Sequence, residues 1–176
     1  AVEYGNTVFL DYPNLEVKRA MGLLYTELLL KGKVAGQVGA GDIVQVLRNG
    51  DPEEVFHTLN RLFTAIDYQN YPVTDEATVR AFIQVYLAGA GLDSKVERHN
   101  SHGRSDLEVK VGARLWVFEL KTAHEEKSSD AALQEAFDQL TSRRYGEQDA
   151  VEKLERVALV FSLSERRFVR WAAVTN

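Results

Sequence analysis

Apolar residues in the first half of the chain recur at the spacing of amphipathic helices. Residues 13–31 place apolar side chains three or four positions apart, with Asn14 in the N-cap position and Gly32 as the stop. Asp51, followed by Pro52 and two glutamates, has the composition of another helix start. The predicted helices cover residues 13–31, 42–48 and 51–66, and a fourth runs from a cap at Thr74 or Asp75 to Gly91.

The pattern changes at Ser94, after which short runs of strand character follow one another. The run over residues 114–121 is densely apolar, as expected of a strand that is buried on both faces. Residues 129–144 return to helical spacing. Strands are predicted over residues 95–98, 105–111, 114–121, 156–163 and 168–174. This order of helix, three strands, helix and two strands predicts an α/β sandwich around a mixed sheet.

Three ionisable residues, Asp106, Glu119 and Lys121, lie on two neighbouring predicted strands. Because successive side chains of a strand point to opposite faces, Glu119 and Lys121 share one face. A hairpin through residues 111–113 would bring Asp106 close to the Glu119 end. An Asp beside a Glu repels it unless a proton or cation lies between them, and such oxygen ligands suit Mg²⁺ or Mn²⁺. The structural alternative is a Glu119–Lys121 salt bridge, with Asp106 merely ending a turn.

At these residues the chain resembles the PD-(D/E)XK nuclease superfamily, in which they form the D…(D/E)xK motif. It looks most like the nuclease domain at the C-terminus of bacterial proteins that begin with an AAA-ATPase-like domain. There, a helix opens with Glu and ends at Gly-Leu, as residues 76–92 do here, and strands read GR.DL and FE.K. Residues 10–17 resemble the linker ahead of that domain. The resemblance implies a restriction-endonuclease-like α/β sandwich with a central mixed sheet, preceded by an N-terminal helical region.

The resemblance also implies roles for individual residues. Asp106, Glu119, Glu76 and the backbone carbonyl of Leu120 would hold Mg²⁺ or Mn²⁺, and Lys121 would position the attacking water or stabilise the transition state. A lysine beside a metal could instead act as a base, and Glu76 could simply be a first-turn acid favoured by the helix dipole. The residues implied to bind nucleic acid or to assist the site are Arg104, Gln139, Arg143 and Tyr145.

Composition limits the classes of function. With 176 residues, 45% of them hydrophobic, the chain can form a domain with a real core. The absence of cysteine excludes disulfides and thiolate metal sites, and the four histidines lack zinc-site spacing. No apolar run has membrane-spanning length, so no membrane association is expected and we expect a cytoplasmic protein. Residues 36–41 are glycine-rich but lack a following Lys-Ser/Thr, so no ATP site is expected.

The charge of the chain bears on its partners. A net charge of −5 argues against a simple electrostatic clamp for nucleic acid, although local basic patches matter more than the sum. The candidate basic residues are Arg143, Arg144, Arg166, Arg167 and Arg170.

We expect a helical extension over residues 1–72 and a nuclease-like domain over residues 73–176. The only methionine, Met21, is internal, so we also expect a piece of a longer protein with an AAA-ATPase-like part ahead of it. Three functions remain open: a metal-dependent nuclease that cuts DNA or RNA, an inactive nuclease fold that binds nucleic acid or a partner, and a module that regulates an attached ATPase through its helical half. Homodimerisation also remains open.

Overall fold

The structure, a computed structural model, describes residues 2–4, 7–9, 14–100, 103–142 and 152–174, and side chains within residues 14–95, 106–125, 127–142 and 152–174. Among the described residues, helices fill most of the first half of the chain, and strands most of the second. The helices are α1 (Leu15–Leu29), α2 (Ile43–Asn49), α3 (Pro52–Ala65), α4 (Glu76–Gly89) and α5 (Glu126–Ser142), with a 3₁₀ helix over Ala35–Val38.

Side-chain caps fix the starts of three helices where the sequence predicts them. The Asn14 side chain accepts a hydrogen bond from the Val17 N–H at 2.9 Å, and Asp51 caps α3 ahead of Pro52. Asp75, one of the two predicted caps of α4, accepts from the Thr78 N–H at 2.8 Å. Each cap satisfies a backbone donor that has no partner within its helix.

A mixed five-stranded sheet follows the helices, as predicted. Its strands are β3 (Ser94–Asn100), β4 (Gly103–Val111), β5 (Arg114–Ala123), β6 (Lys153–Ser162) and β7 (Arg167–Val174), in that spatial order. Only the β5–β6 pair is parallel, because α5 connects those two strands. The predicted bounds differ by at most three residues. A separate antiparallel pair, β1 (Val2–Tyr4) and β2 (Thr7–Phe9), was not predicted, since three-residue strands are too short to show a period.

The central strand β5 separates two layers of apolar side chains. Trp116, Phe118 and Leu120 belong to the larger core, which faces α2, α3 and α4. Leu115 and Val117 belong to a smaller core that faces α5. The prediction of a strand buried on both faces is therefore confirmed, and with it an α/β fold with helices on both sides of the sheet.

The larger core runs across the predicted domain boundary at residue 72. Phe63 of α3 packs against Phe161 and Phe168 of the sheet, with ring centroids 4.9 and 5.3 Å away. The indole N–H of Trp116 donates to the Leu47 carbonyl at 2.9 Å. These contacts hold α2 and α3 against one face of the sheet. The division into an extension and a nuclease-like domain stays a prediction.

Helix α1 packs against α4 on one side and exposes apolar residues on the other. At the crossing, a Cβ atom added to Gly22 would lie 2.4 Å from the Gly89 nitrogen. Thr26 of α1 is buried beside this crossing. Exposed apolar side chains on and after α1 are Leu15, Val17, Leu23, Leu24, Tyr25, Leu28 and Val34.

Among the described residues, no helix combines the length and the apolar character that crossing a bilayer requires.

The close crossing of α1 and α4 predicts that Gly22→Ala destabilises the protein. The new Cβ would meet the α4 backbone, which must shift, and overpacking of this kind costs about 1–3 kcal/mol. Alanine favours a helix over glycine by about 1 kcal/mol, so the net loss is about 0–2 kcal/mol; we expect the upper end in urea denaturation, because the close contact at 2.4 Å is with a backbone atom. Gly36→Ala is the control, because its Cβ meets nothing within 4 Å, and a change within about 0.5 kcal/mol is expected there. Equal stability of the two variants would contradict the crossing.

Candidate active site

Asp106 is fixed against β5 where the β4–β5 ladder ends. The two strands form the predicted hairpin, with Gly112 in its turn at a φ of +61°, and their pairing extends to Leu107 opposite Phe118. One residue further, the Leu120 N–H donates to Oδ2 of Asp106 at 2.8 Å. A carboxylate thus accepts the hydrogen bond that a main-chain carbonyl would take in a continued ladder. Asp106 is thereby held beside the peptide that joins Glu119 to Leu120.

Glu119 lies on the α5 face of β5 and is buried, with only 2% of its surface exposed. Lys121 lies on the same face, two residues on. The N–H and the C=O of a given strand residue point towards the same neighbouring strand. Because the Leu120 N–H points towards Asp106 of β4, the Leu120 carbonyl points to that side of β5 as well. The sequence motif therefore converges on one end of the hairpin.

Lys121 is held as a cation by Glu135 of α5, a residue that the sequence analysis missed. Its Nζ lies 3.1 Å from Oε1 of Glu135. Burial alone would lower the pKa of Lys121, but the hydrogen bond and charge of Glu135, together with the charges of Glu76 and Glu119, raise the pKa above its ordinary value. Lys121 is therefore an ammonium at neutral pH, which suits charge stabilisation and not the role of a base.

Gln139 reaches Lys121 only through Glu135. Its side-chain amide donates to the same oxygen, Oε1 of Glu135, at 3.1 Å, one turn further along α5. Gln139 is one of the predicted accessory residues, and in this arrangement it orients the partner of Lys121. Glu135 could have been selected from the sequence, because it precedes the predicted residue Gln139 by four positions and so lies on the same face of α5.

Glu76 approaches the site from the first turn of α4. Burial raises the pKa of Glu76, and the nearby charge of Asp106 raises it further, while the charges of Lys121 and Arg80 act in the opposite direction. Two of these neighbours, Asp106 and Lys121, are predicted site residues, so Glu76 faces them from a third element. Its position next to the Asp75 cap orients it towards the sheet.

Arg80, which the sequence analysis did not select, also contacts the site. Its Nη1 lies 3.4 Å from Oδ1 of Asp106, and both side chains are largely buried, with 15% and 14% exposed. Arg80 follows Glu76 by four residues, so the two share one face of α4. No sequence pattern linked Arg80 to Asp106, because the contact depends on how α4 packs against β4.

Several predicted residues are not placed at the site. Arg143, Arg144 and Tyr145 lie outside the described residues, and Arg104 is described only in its backbone, within β4. Arg167 and Arg170 lie near β7, where their side chains contact the carboxylates of Glu165 and Asp130 at 2.5 and 2.8 Å. Arg166 lies over the Tyr68 ring, 5.0 Å from its centroid. These three arginines, which were candidates for a basic patch, therefore contact acidic or aromatic side chains of the protein itself.

The donor atoms of the site fit a hard divalent cation. Within the described side chains, no three acidic or histidine groups form a ready metal cage. Mg²⁺ commonly binds through one or two carboxylates and keeps several waters. Asp106 and Glu119 could supply the carboxylates and the Leu120 carbonyl a further oxygen, while Glu76 lies close enough to Asp106 for their charges to interact.

The burial of Glu76 and its nearness to the charge of Asp106 predict that Glu76→Gln changes the stability of the protein in a pH-dependent way in buffer without metal. Since the pKa of Glu76 is raised in the folded protein above its ordinary value of 4.5, its contribution to stability is full at low pH and is lost as the pH rises through the folded pKa. Relative to wild type, the variant should gain unfolding free energy as the pH rises from the ordinary value of 4.5 through the raised pKa of Glu76 in the folded protein. Urea denaturation in EDTA measures the gain, with Glu53→Gln in the exposed first turn of α3 as the matched control. A gain that does not depend on pH would contradict the burial of Glu76 beside Asp106.

Comparison with known proteins identifies a relative and a family for this chain. The chain is 30% identical over 170 residues to an "uncharacterized protein in vnfD 5′region" of Azotobacter chroococcum mcd 1. That match covers 91% of this chain and 31% of the relative, so the chain spans about a third of the relative's length. A family model described as PD-(D/E)XK nuclease superfamily matches residues 74–171, more than half of the chain and all of α4 to β6. The chain therefore belongs to the PD-(D/E)XK nuclease superfamily.

Proposed function

We propose that this chain is a metal-dependent nuclease that hydrolyses phosphodiester bonds of DNA. The observation that carries the proposal is the hydrogen bond from the Leu120 N–H to Asp106 Oδ2, which holds the acid of β4 against the Glu119–Lys121 segment of β5. Membership of the superfamily supports hydrolysis of a phosphodiester. The same site chemistry applies to RNA, which is the alternative substrate.

In the proposed reaction, Asp106, Glu119 and the Leu120 carbonyl would hold Mg²⁺ or Mn²⁺. The bound ion would supply a Lewis acid for the phosphoryl oxygens and a more acidic water. Glu76, half-buried at the edge of the site, would accept a hydrogen bond from a water bound to that ion and so help to position it. Burial and the charge of Asp106 raise the pKa of Glu76 above its ordinary value.

Lys121 acts as a fixed positive charge in this mechanism. Phosphoryl transfer builds negative charge on the attacked group, and a cation placed in advance stabilises that charge without reorganisation. Glu135 keeps the ammonium protonated and oriented, with Gln139 holding Glu135. A general-base role would need a lowered pKa, whereas the pKa of Lys121 is raised.

The nuclease proposal predicts that Lys121→Ala and Asp106→Ala each lower metal-dependent DNA cleavage by at least about a hundredfold, because each removes one electrostatic element of the transition state. The measurement is cleavage of linear, circular and single-stranded DNA, and of RNA, in Mg²⁺ or Mn²⁺, with EDTA as the metal-free control. Lys33→Ala, an exposed lysine ahead of the 3₁₀ helix, is the matched control and should cut like wild type.

Two outcomes of this experiment contradict the proposal. Cleavage that survives both substitutions would come from a different site or a contaminant. A clean wild-type protein that binds DNA in a gel shift but cuts no substrate in either metal would support the alternative, an inactive nuclease fold that binds nucleic acid.

A second proposed function concerns α1, whose exposed face is apolar. Leu23, Leu24, Tyr25 and Leu28 are each at least 43% exposed on this helix. Contiguous exposed apolar residues mark interaction surfaces more often than isolated ones do. Since the relative is about three times as long as the matched segment, we propose that α1 docks an attached AAA-ATPase-like domain of the same polypeptide.

Docking of α1 predicts slower amide hydrogen exchange in the full-length protein than in this chain alone. Residues 15–29 should gain protection when the ATPase-like part is present, because its contact removes α1 from water and opposes local opening. Helix α3, whose apolar face is already buried against the sheet, is the internal control and should not change. Equal exchange of α1 in both proteins, or a reading frame without an ATPase-like sequence, would refute this docking.

A further inference from the structure

The two carboxylate oxygens of Asp106 have different partners. Oδ2 accepts the Leu120 N–H at 2.8 Å, and this bond fixes the side chain. Oδ1 lies 3.4 Å from Nη1 of Arg80. A divalent cation that binds Asp106 needs a lone pair directed into the site, and Oδ1 is the oxygen not engaged by the backbone of β5. The guanidinium therefore lies against the oxygen that a metal would use.

Arg80 also faces the second acid of α4. It follows Glu76 by one helical turn, and its charge lowers the pKa of Glu76 while the charge of Asp106 raises it. Arg80 thus supplies positive charge beside two acids that would otherwise repel each other. This is the electrostatic task that a bound metal performs in a nuclease site.

We propose that Arg80 is the resident counter-ion of the metal site: it holds Asp106 while no metal is bound, competes with the divalent cation for Oδ1, and leaves Oδ1 when the cation binds. This inference rests on the proposed nuclease function, because it takes the metal site from there. Arg80 acts through Asp106 and is a positioning residue.

The chemistry of arginine suits displacement. A guanidinium does not lose its proton in proteins, so it can release Asp106 only by moving. The separation of 3.4 Å is longer than the roughly 2.7–2.9 Å of a strong charged hydrogen bond, which leaves the contact open to competition. A planar fork of donors also matches phosphate oxygens. Once displaced from Oδ1, the Arg80 guanidinium could contact a substrate phosphate, which would couple metal binding to nucleic-acid binding.

Calorimetric titration with Mg²⁺ and Mn²⁺ tests the inference, using wild type, Arg80→Gln and Asp106→Asn. Arg80→Gln removes the charged competitor, so it should lower the dissociation constant of the metal by about tenfold. A change of this size corresponds to the loss of about one charged hydrogen bond. Asp106→Asn should abolish binding. Arg48→Gln, at an exposed position on α2, is the matched control for removal of one positive charge and should bind like wild type.

A second measurement follows Arg80 in the wild-type protein and does not depend on the folding of any variant. The Nε–Hε resonance of Arg80 in a ¹⁵N correlation spectrum should shift during a Mg²⁺ titration, with the same midpoint as the calorimetric curve. Assignment is made by loss of that signal in Arg80→Lys, which keeps the charge at position 80.

The outcomes separate this inference from the nuclease proposal. Asp106-dependent metal binding that is unchanged or weaker in Arg80→Gln, with an Arg80 resonance that does not move, would overturn the counter-ion role and leave the metal site standing. Binding that is absent, or that survives Asp106→Asn, would remove the metal site itself and overturn both.

Discussion

The hydrogen bond between the Leu120 N–H and Asp106 Oδ2 is the contact on which the site depends. It forms one residue beyond the Leu107–Phe118 pair, where the β4–β5 ladder ends, and it replaces a main-chain bond with a carboxylate. Burial of Trp116 and Phe118 in the larger core fixes the position of β5, so the carboxylate meets a rigid strand. A site built on such strands holds its geometry better than one built on loops.

Around this contact, two of the acids each lie beside a cation from another element. Arg80 of α4 contacts Asp106, and Lys121 of β5 contacts Glu135 of α5. Burying a carboxylate without a compensating partner is costly, and Glu119 is almost completely buried on the face that Lys121 shares. Helix α4 therefore supplies a positive charge to Asp106, and helix α5 supplies the carboxylate that holds Lys121 on the face it shares with Glu119.

The sequence predicted what local patterns encode and missed what packing creates. Caps such as Asn14 and Asp51, and the two-sided burial of β5, follow from residue type and period and were predicted correctly. The placement of Asp106 beside Leu120 follows from hairpin register, which the turn at residues 111–113 indicated. Arg80 lies 26 residues from Asp106 in sequence, and no periodicity relates two residues whose contact depends on how α4 packs.

The most direct test of this account is a crystal structure grown with Mn²⁺ and a short DNA duplex, examined for anomalous scattering. The account predicts an anomalous peak about 2.0–2.3 Å from oxygens of Asp106, Glu119 and the Leu120 carbonyl, since those are coordination distances for hard oxygen ligands. A peak held by other residues, or bound DNA with no peak at the end of the β4–β5 hairpin, would contradict it.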